Sequence, residues 1–132
     1  MQKYACYLIC LCAVALVSGC QKTPTPAVVT PQDVEAAKHE AQREVSDARA
    51  EASKGVKSAA KVSGSDSAVI HEAKVTAAYD ISMAKADGDH KVATKNCLTL
   101  SAPLQPACQQ QADTDFESTA SAAKASRVAN RQ

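Results

Sequence analysis

Apolar positions are distributed along this chain in two ways, and each predicts a different element. Tyr4 to Val17 is an unbroken apolar run of 14 residues after a short start carrying Lys3. Further along, small and apolar residues return at a helical interval. Ala41, Val45, Ala48, Ala52, Gly55, Ala59 and Val62 are spaced 4, 3, 4, 3, 4, 3, the seam of a heptad helix. Thr30-Pro31-Gln32-Asp33 is a start signature: Thr30 can cap, Pro31 suits the first helical position, and Asp33 sits at the positive end of the helix dipole. These features place a first helix over residues 31–62. Arg43 with Asp47, and Glu35 with His39, lie four apart and lace its outer face with charge.

Ser63-Gly64-Ser65-Asp66-Ser67 interrupts the pattern. Gly64 suits the left-handed position that ends a helix, and Asp66 or Ser67 can cap the next one. A second helix follows from about Ala68 to Leu98, with an apolar track at Ile70, Ala73, Ala77, Ile81, Ala84, Gly88 and Val92, and Val69 and Met83 at its edges. Asp87-Gly88-Asp89 predicts a bend or frayed point in it. Pro103 opens a third helix, capped by Ser101 or Ala102 and running to about Asn130, with Leu104, Cys108, Ala112, Phe116, Ala120 and Ala123 on one face. The fold class is all-α: helix one plus an antiparallel helical hairpin over residues 67–130. The helices are similar in length, which suits an up-down-up bundle and equally an open arrangement with helix one apart.

Composition thins the expected core. Past residue 19 the chain has 113 residues, of which 16 are Leu, Ile, Val or Phe and 24 are Ala. About 14% large aliphatics and Phe is less than the ~20% below which disorder becomes a concern, whereas Ala is the best helix former. Slender helices with a narrow seam follow. A seam of Ala and Gly packs closely but buries little, and a long homo-coiled coil normally asks for Leu or Ile there. The same 113 residues carry 14 basic and 14 acidic side chains. A net charge of zero, with Tyr79 and Phe116 as the only aromatics, argues against nucleic acid as a partner.

The N-terminal run ends in Val17-Ser18-Gly19-Cys20. A basic start, an apolar stretch and small residues before a cleavage point mark a secretory signal, and 14 residues fall short of the roughly 20 that cross a bilayer. The segment resembles a bacterial lipoprotein signal peptide, and Val17-Ser18-Gly19-Cys20 is similar to the lipobox of that family. The resemblance implies removal of residues 1–19 and a mature N-terminus at Cys20, diacylated on its sulfur and acylated on its amine. Gln21, rather than Asp, implies carriage to the outer membrane, as in enterobacterial lipoproteins. Residues 20–30 then form a lipidated tether, whose Pro24 and Pro26 favour extended backbone at about 3.1 Å per residue. The C-terminal Arg131-Gln132 lacks the terminal Lys through which the major outer-membrane lipoprotein joins peptidoglycan, so that linkage is not expected.

The cysteines follow from this. Cys6, Cys10 and Cys12 leave with the signal, Cys20 takes the lipid, and Cys97 and Cys108 remain. An isolated pair in an oxidising compartment is expected to form a structural disulfide. Ten intervening residues separate it from the Cys-x-x-Cys of redox exchange, and no His lies at metal-ligand spacing. Cys97-Leu98-Thr99-Leu100-Ser101-Ala102, then four residues, then Ala107-Cys108, resembles a Cys-x-x-Leu-Ser-Gly-x4-Ala-Cys pattern. It recurs in small, Ala- and Lys-rich helical periplasmic proteins of proteobacteria. Ala102 replaces the usual Gly, and Pro103 and Pro106 are unusual there. The resemblance implies a disulfide-stapled hairpin and carries no activity with it.

Other constellations read as surface. His39, His71 and His90 each lie in a charged helical stretch, and His71-Glu72 lacks the second His of a zinc-protease helix. Asp87-Gly88-Asp89-His90 lacks the rest of a calcium loop, and Asp113, Asp115 and Glu117 read as solvated acids. No catalytic residue, cofactor or metal site is expected. Two functions stay open: a non-catalytic helical spacer or adaptor of the envelope, docking a partner or a second copy through the Ala seam, and an accessory factor such as an inhibitor or chaperone for a periplasmic enzyme.

Overall fold

The computed structural model describes residues 28–64 and 66–132. The lipobox, Cys20 and most of the tether lie outside the described residues. Within them every regular element is helical: α1 (Pro31–Ser63), α2 (Ser67–Cys97), a short 3-10 turn (Ala102–Leu104) and α3 (Gln105–Ala129). The all-α class expected from the periodicity is the one observed.

α1 and α2 start where a side chain satisfies otherwise unpaired N–H groups. At α1 the Thr30 Oγ1 accepts from the Asp33 N–H at 3.3 Å, and the Thr30 N–H donates back to the Asp33 carboxylate at 2.7 Å. This reciprocal capping box adds a second bond to the expected Thr30 cap. α1 ends at Gly64, with φ +63° and ψ −112°. The positive φ explains the glycine, although ψ takes the residue out of the left-handed helical well expected for it. Asp66 then caps α2, its Oδ1 accepting from the N–H groups of Ala68 and Val69 at 3.0 and 3.4 Å.

Two expected features give way. α2 runs unbroken through Asp87-Gly88-Asp89, with no bend required. α3 is not opened by Pro103: that proline belongs to the 3-10 turn, and the helix proper begins at Gln105 with Pro106 in its first turn. Neither Ser101 nor Ala102 caps it. Instead the Gln105 side chain reaches back and donates to the carbonyls of Leu98 and Leu100, at 3.4 and 2.9 Å, closing the turn.

The chain runs up, down and up. Ala41 of α1 faces Gly88 of α2, and Lys91 reaches Glu44, so α1 and α2 are antiparallel. Cys108 and Asp113 of α3 meet Cys97 and His90 of α2, and Arg131, just past the end of α3, meets Glu72, so that pair is antiparallel too. Backbone approach is extensive between α1 and α2, less so between α2 and α3, and slight between α1 and α3. Helix one is therefore docked, along α2.

α2 consequently needs two apolar faces. Ala73, Ala77, Gly88 and Val92 line its α1 side, as the periodicity foretells. Val75, Ala86 and Cys97 are buried on the other side, towards α3. Among the described residues the buried apolar side chains are Val34, Val75, Ala86, Cys97, Ala112, Ala120 and Ala123, and four of the seven are alanines, as thin a core as the composition implies. The α1 seam points into this arrangement: Ala41, Val45, Ala48, Ala52 and Ala59 border α2. It stops short of Val62, which is 86% exposed because α2 has barely begun at that level. Leu104 departs from its expected face as well, being carried by the 3-10 turn ahead of α3.

Candidate functional site

Three constellations unite chemistry-bearing side chains, and all lie along the α2–α3 hairpin. The first is the cysteine pair. Cys97 is in the last turn of α2 and Cys108 in the first turn of α3, with their Cα atoms 5.5 Å apart at disulfide distance. This is the pairing expected from the cysteine count. Cys97 is only 1% exposed, so this sulfur is shielded from reductants and from attacking thiolates, as a structural bridge requires.

The second constellation lies two turns away from the pair on α2. His90 Nε2 stands 2.7 Å from Asp113 Oδ1 of α3, and the imidazole packs on Phe116 with ring centroids 5.1 Å apart. Phe116 thus occupies the expected apolar face of α3. His90 and Asp113 are not the free surface groups their sequence context suggests. Together they form an interhelical clasp over an aromatic ring.

The third lies nearer the far end of the hairpin. The Arg127 guanidinium lies over the Tyr79 ring at 4.8 Å from its centroid, and its Nε is shielded without a hydrogen-bond partner among the described residues. A groove of about 320 Å³ opens beside it, lined also by His71, Lys74 and Asn130. One turn on, Arg131 grips Glu72 through both Nη2 and Nε, the latter at 3.1 Å. That hydrogen bond holds the Glu72 carboxyl below the usual carboxylate range.

Charge also ties α1 to α2. Lys91 donates to both carboxylate oxygens of Glu44, at 2.7 and 2.9 Å, and pairs with Asp87 at 3.0 Å. The Glu44 bond, then the Asp87 bond, pushes the Lys91 ammonium above its ordinary value. Glu35 turns to Lys38 at 2.6 Å rather than to His39. His39 and His71 are exposed. Among the described residues no three His, Cys, Asp or Glu side chains gather as a metal-binding set, and no helix is long and apolar enough to cross a membrane.

The hairpin pairs had a readable signal in the sequence. The Cys97–Cys108 pair sets the register, and each later pair follows at helical intervals back along α2 and forward along α3. His90 with Asp113 and Tyr79 with Arg127 could have been found by counting from the cysteines. The Glu44–Lys91 pair had no such marker. No family model, curated protein or solved structure matches this chain.

Proposed function

We propose that this chain is a non-catalytic lipoprotein of the bacterial outer membrane, held by acyl chains on Cys20, facing the periplasm, and serving as a helical spacer or adaptor in the cell envelope. The observation that carries this reading is Val17-Ser18-Gly19-Cys20 at the end of a 14-residue apolar run. Two further features support it. The cysteines left after removal of residues 1–19, apart from Cys20 itself, stand at disulfide distance with Cys97 buried, an arrangement suited to an oxidising compartment. A proline-containing segment, residues 20–30, joins Cys20 to the helical body, as a lipid-anchored domain requires.

The Ala seam of α1 is occupied by α2 within the same chain, so an adaptor role falls to the outer faces of the helices. Two or three acyl chains hold a protein firmly, because each buried methylene adds about 0.8 kcal/mol. The reading is tested by labelling with radioactive palmitate and by intact mass. Label entering the wild type but not a Cys20→Ser form, with loss of residues 1–19 and a mass raised by the acyl groups, is the expected result. An unlabelled product, or a Cys20→Ser form that fractionates with the membrane unchanged, defeats it. Crosslinking in whole cells followed by co-purification identifies the partner.

A further inference from the structure

One end of the helical body differs from the rest in its charge. Residues 96–112 form a run of 17 without a single Asp, Glu, Lys, Arg or His, and residues 23–32 form another of ten. The described part of the second run, residues 28–32, lies beside the first although the two are far apart in sequence. α1 is antiparallel to α2, with Ala41 against Gly88 and Lys38 lining one groove with Asn96, so Thr30 and Pro31 stand at the level of the α2 C-terminus. The α2–α3 turn leaves from that same level. Residues 28–32 and 96–112 therefore form one uncharged cap, bounded by Asp33, Lys95 and Asp113.

The cap is also where large apolar side chains face outwards. Leu100 is 41% exposed, Leu104 58% and Val28 85%. The opposite end has exposed valines too, Val62, Val69 and Val128, but Lys61, Asp66, Arg127 and Arg131 surround them in sequence. An uncharged surface with protruding leucines suits a hydrocarbon boundary, whereas one studded with ammonium and guanidinium groups suits water.

We propose that this charge-free cap rests on the lipid surface, with Leu104 and Leu100 inserted at the boundary between headgroups and acyl chains. The inference rests on the lipid anchor at Cys20 argued above, which supplies the occupant. Cys20 lies eight residues before Val28, a reach of roughly 25 Å even fully extended at about 3.1 Å per residue. A tether that short holds the cap at an effective concentration on the order of millimolar near the bilayer, so a shallow apolar contact that would never capture a free protein is populated when anchored. The tether then positions the body on the membrane rather than lifting it away, with α1, α2 and α3 rising from the surface.

The chain contains no tryptophan, so a single introduced indole reports its own surroundings. Full-length protein, processed in cells and bearing Leu104→Trp, Leu100→Trp or Val128→Trp, is reconstituted into phosphatidylethanolamine–phosphatidylglycerol vesicles with or without brominated acyl chains. Emission from position 104, and from position 100 as the independent second site, is expected to fall about twofold in brominated vesicles, the depth of an interfacial side chain, while position 128 is unchanged. Protein that carries its acyl mass and floats with the vesicles, yet shows positions 100 and 104 quenched no more than 128, overturns the inference and leaves the anchor standing. Protein without acyl mass that fails to float overturns both. If positions 100 and 104 are shielded from acrylamide only when envelope extract is added, a protein covers the cap and the lipid assignment is wrong.

Discussion

Two glycines that look equivalent in the sequence do opposite things. Gly55 and Gly88 each interrupt an otherwise helical, Ala-rich stretch, where glycine costs about 1 kcal/mol relative to alanine. At Gly55 an added Cβ meets nothing within 4 Å. At Gly88 it would stand 2.8 Å from the Ala41 Cβ and 3.3 Å from the Ala41 Cα, and a backbone atom cannot step aside. Gly55→Ala should therefore stabilise the protein by about 0.5–1 kcal/mol. Gly88→Ala should destabilise it by about 1–3 kcal/mol despite the better helix former, because α1 must move off α2. Urea denaturation of the two variants decides the matter, and a stabilised Gly88→Ala would show that α1 and α2 do not approach this closely. By the same logic Ala48→Glu, which sequence periodicity offers as a way to break a partner interface, should lower the melting temperature of the isolated protein, because Ala48 borders α2.

At the scale of elements, α3 depends on its staple more than α1 does. Its contact with α2 is the smaller of the two main interfaces, and its buried side chains are all alanines. A bridge between Cys97 and Cys108 closes a loop of 11 residues, which on the chain-entropy account stabilises by about 3 kcal/mol. Replacing both cysteines with serine should remove about that amount. It should also raise hydrogen exchange in α3 well before it does so in α1, since local opening follows the weakest interface. Uniform acceleration across all three helices would mean that the bundle opens as one unit and that the staple serves the whole of it.

For the whole molecule the ion pairs set a window of pH. The Asp33 carboxyl, held down by the Thr30 backbone and side-chain hydrogen bonds, the Glu35 carboxyl beside Lys38 and the Glu72 carboxyl beside Arg131 all ionise more readily folded than unfolded. Such groups stabilise above their unfolded values, and the contribution drains away as pH falls through the folded ones. Lys91, raised by Glu44 and Asp87, has the opposite sign: its contribution is complete below its unfolded value and is lost as pH climbs through the folded one. Melting temperature should accordingly be flat through neutrality, fall as acid protonates these carboxylates, and fall again in strong alkali. Each pair is solvent-exposed and therefore modest and salt-sensitive, so Glu72→Gln should flatten only part of the acid limb. An unchanged acid limb in that variant would indicate that Arg131 and Glu72 do not pair in solution.

What the chain settles locally is where α1 begins and ends and where α2 begins. Thr30 with Asp33, Gly64, and Asp66 satisfy or release backbone groups within three residues of themselves, and nothing distant is needed to read them. Counting cysteines past Cys20 likewise points to one pair, Cys97 with Cys108, and that pair sets the register of the hairpin. Tertiary structure decided the rest, because helices faced so widely with alanine present nearly the same surface all round. Only packing could assign one side of α2 to α1 and the other to α3, turn Gly88 from an expected weak point into a point of close helix approach, pair His90 with Asp113, and spend the α1 seam inside the chain instead of on a partner. Helix termini are decided by neighbouring residues, whereas the choice among almost equivalent alanine faces is decided by which backbones can approach.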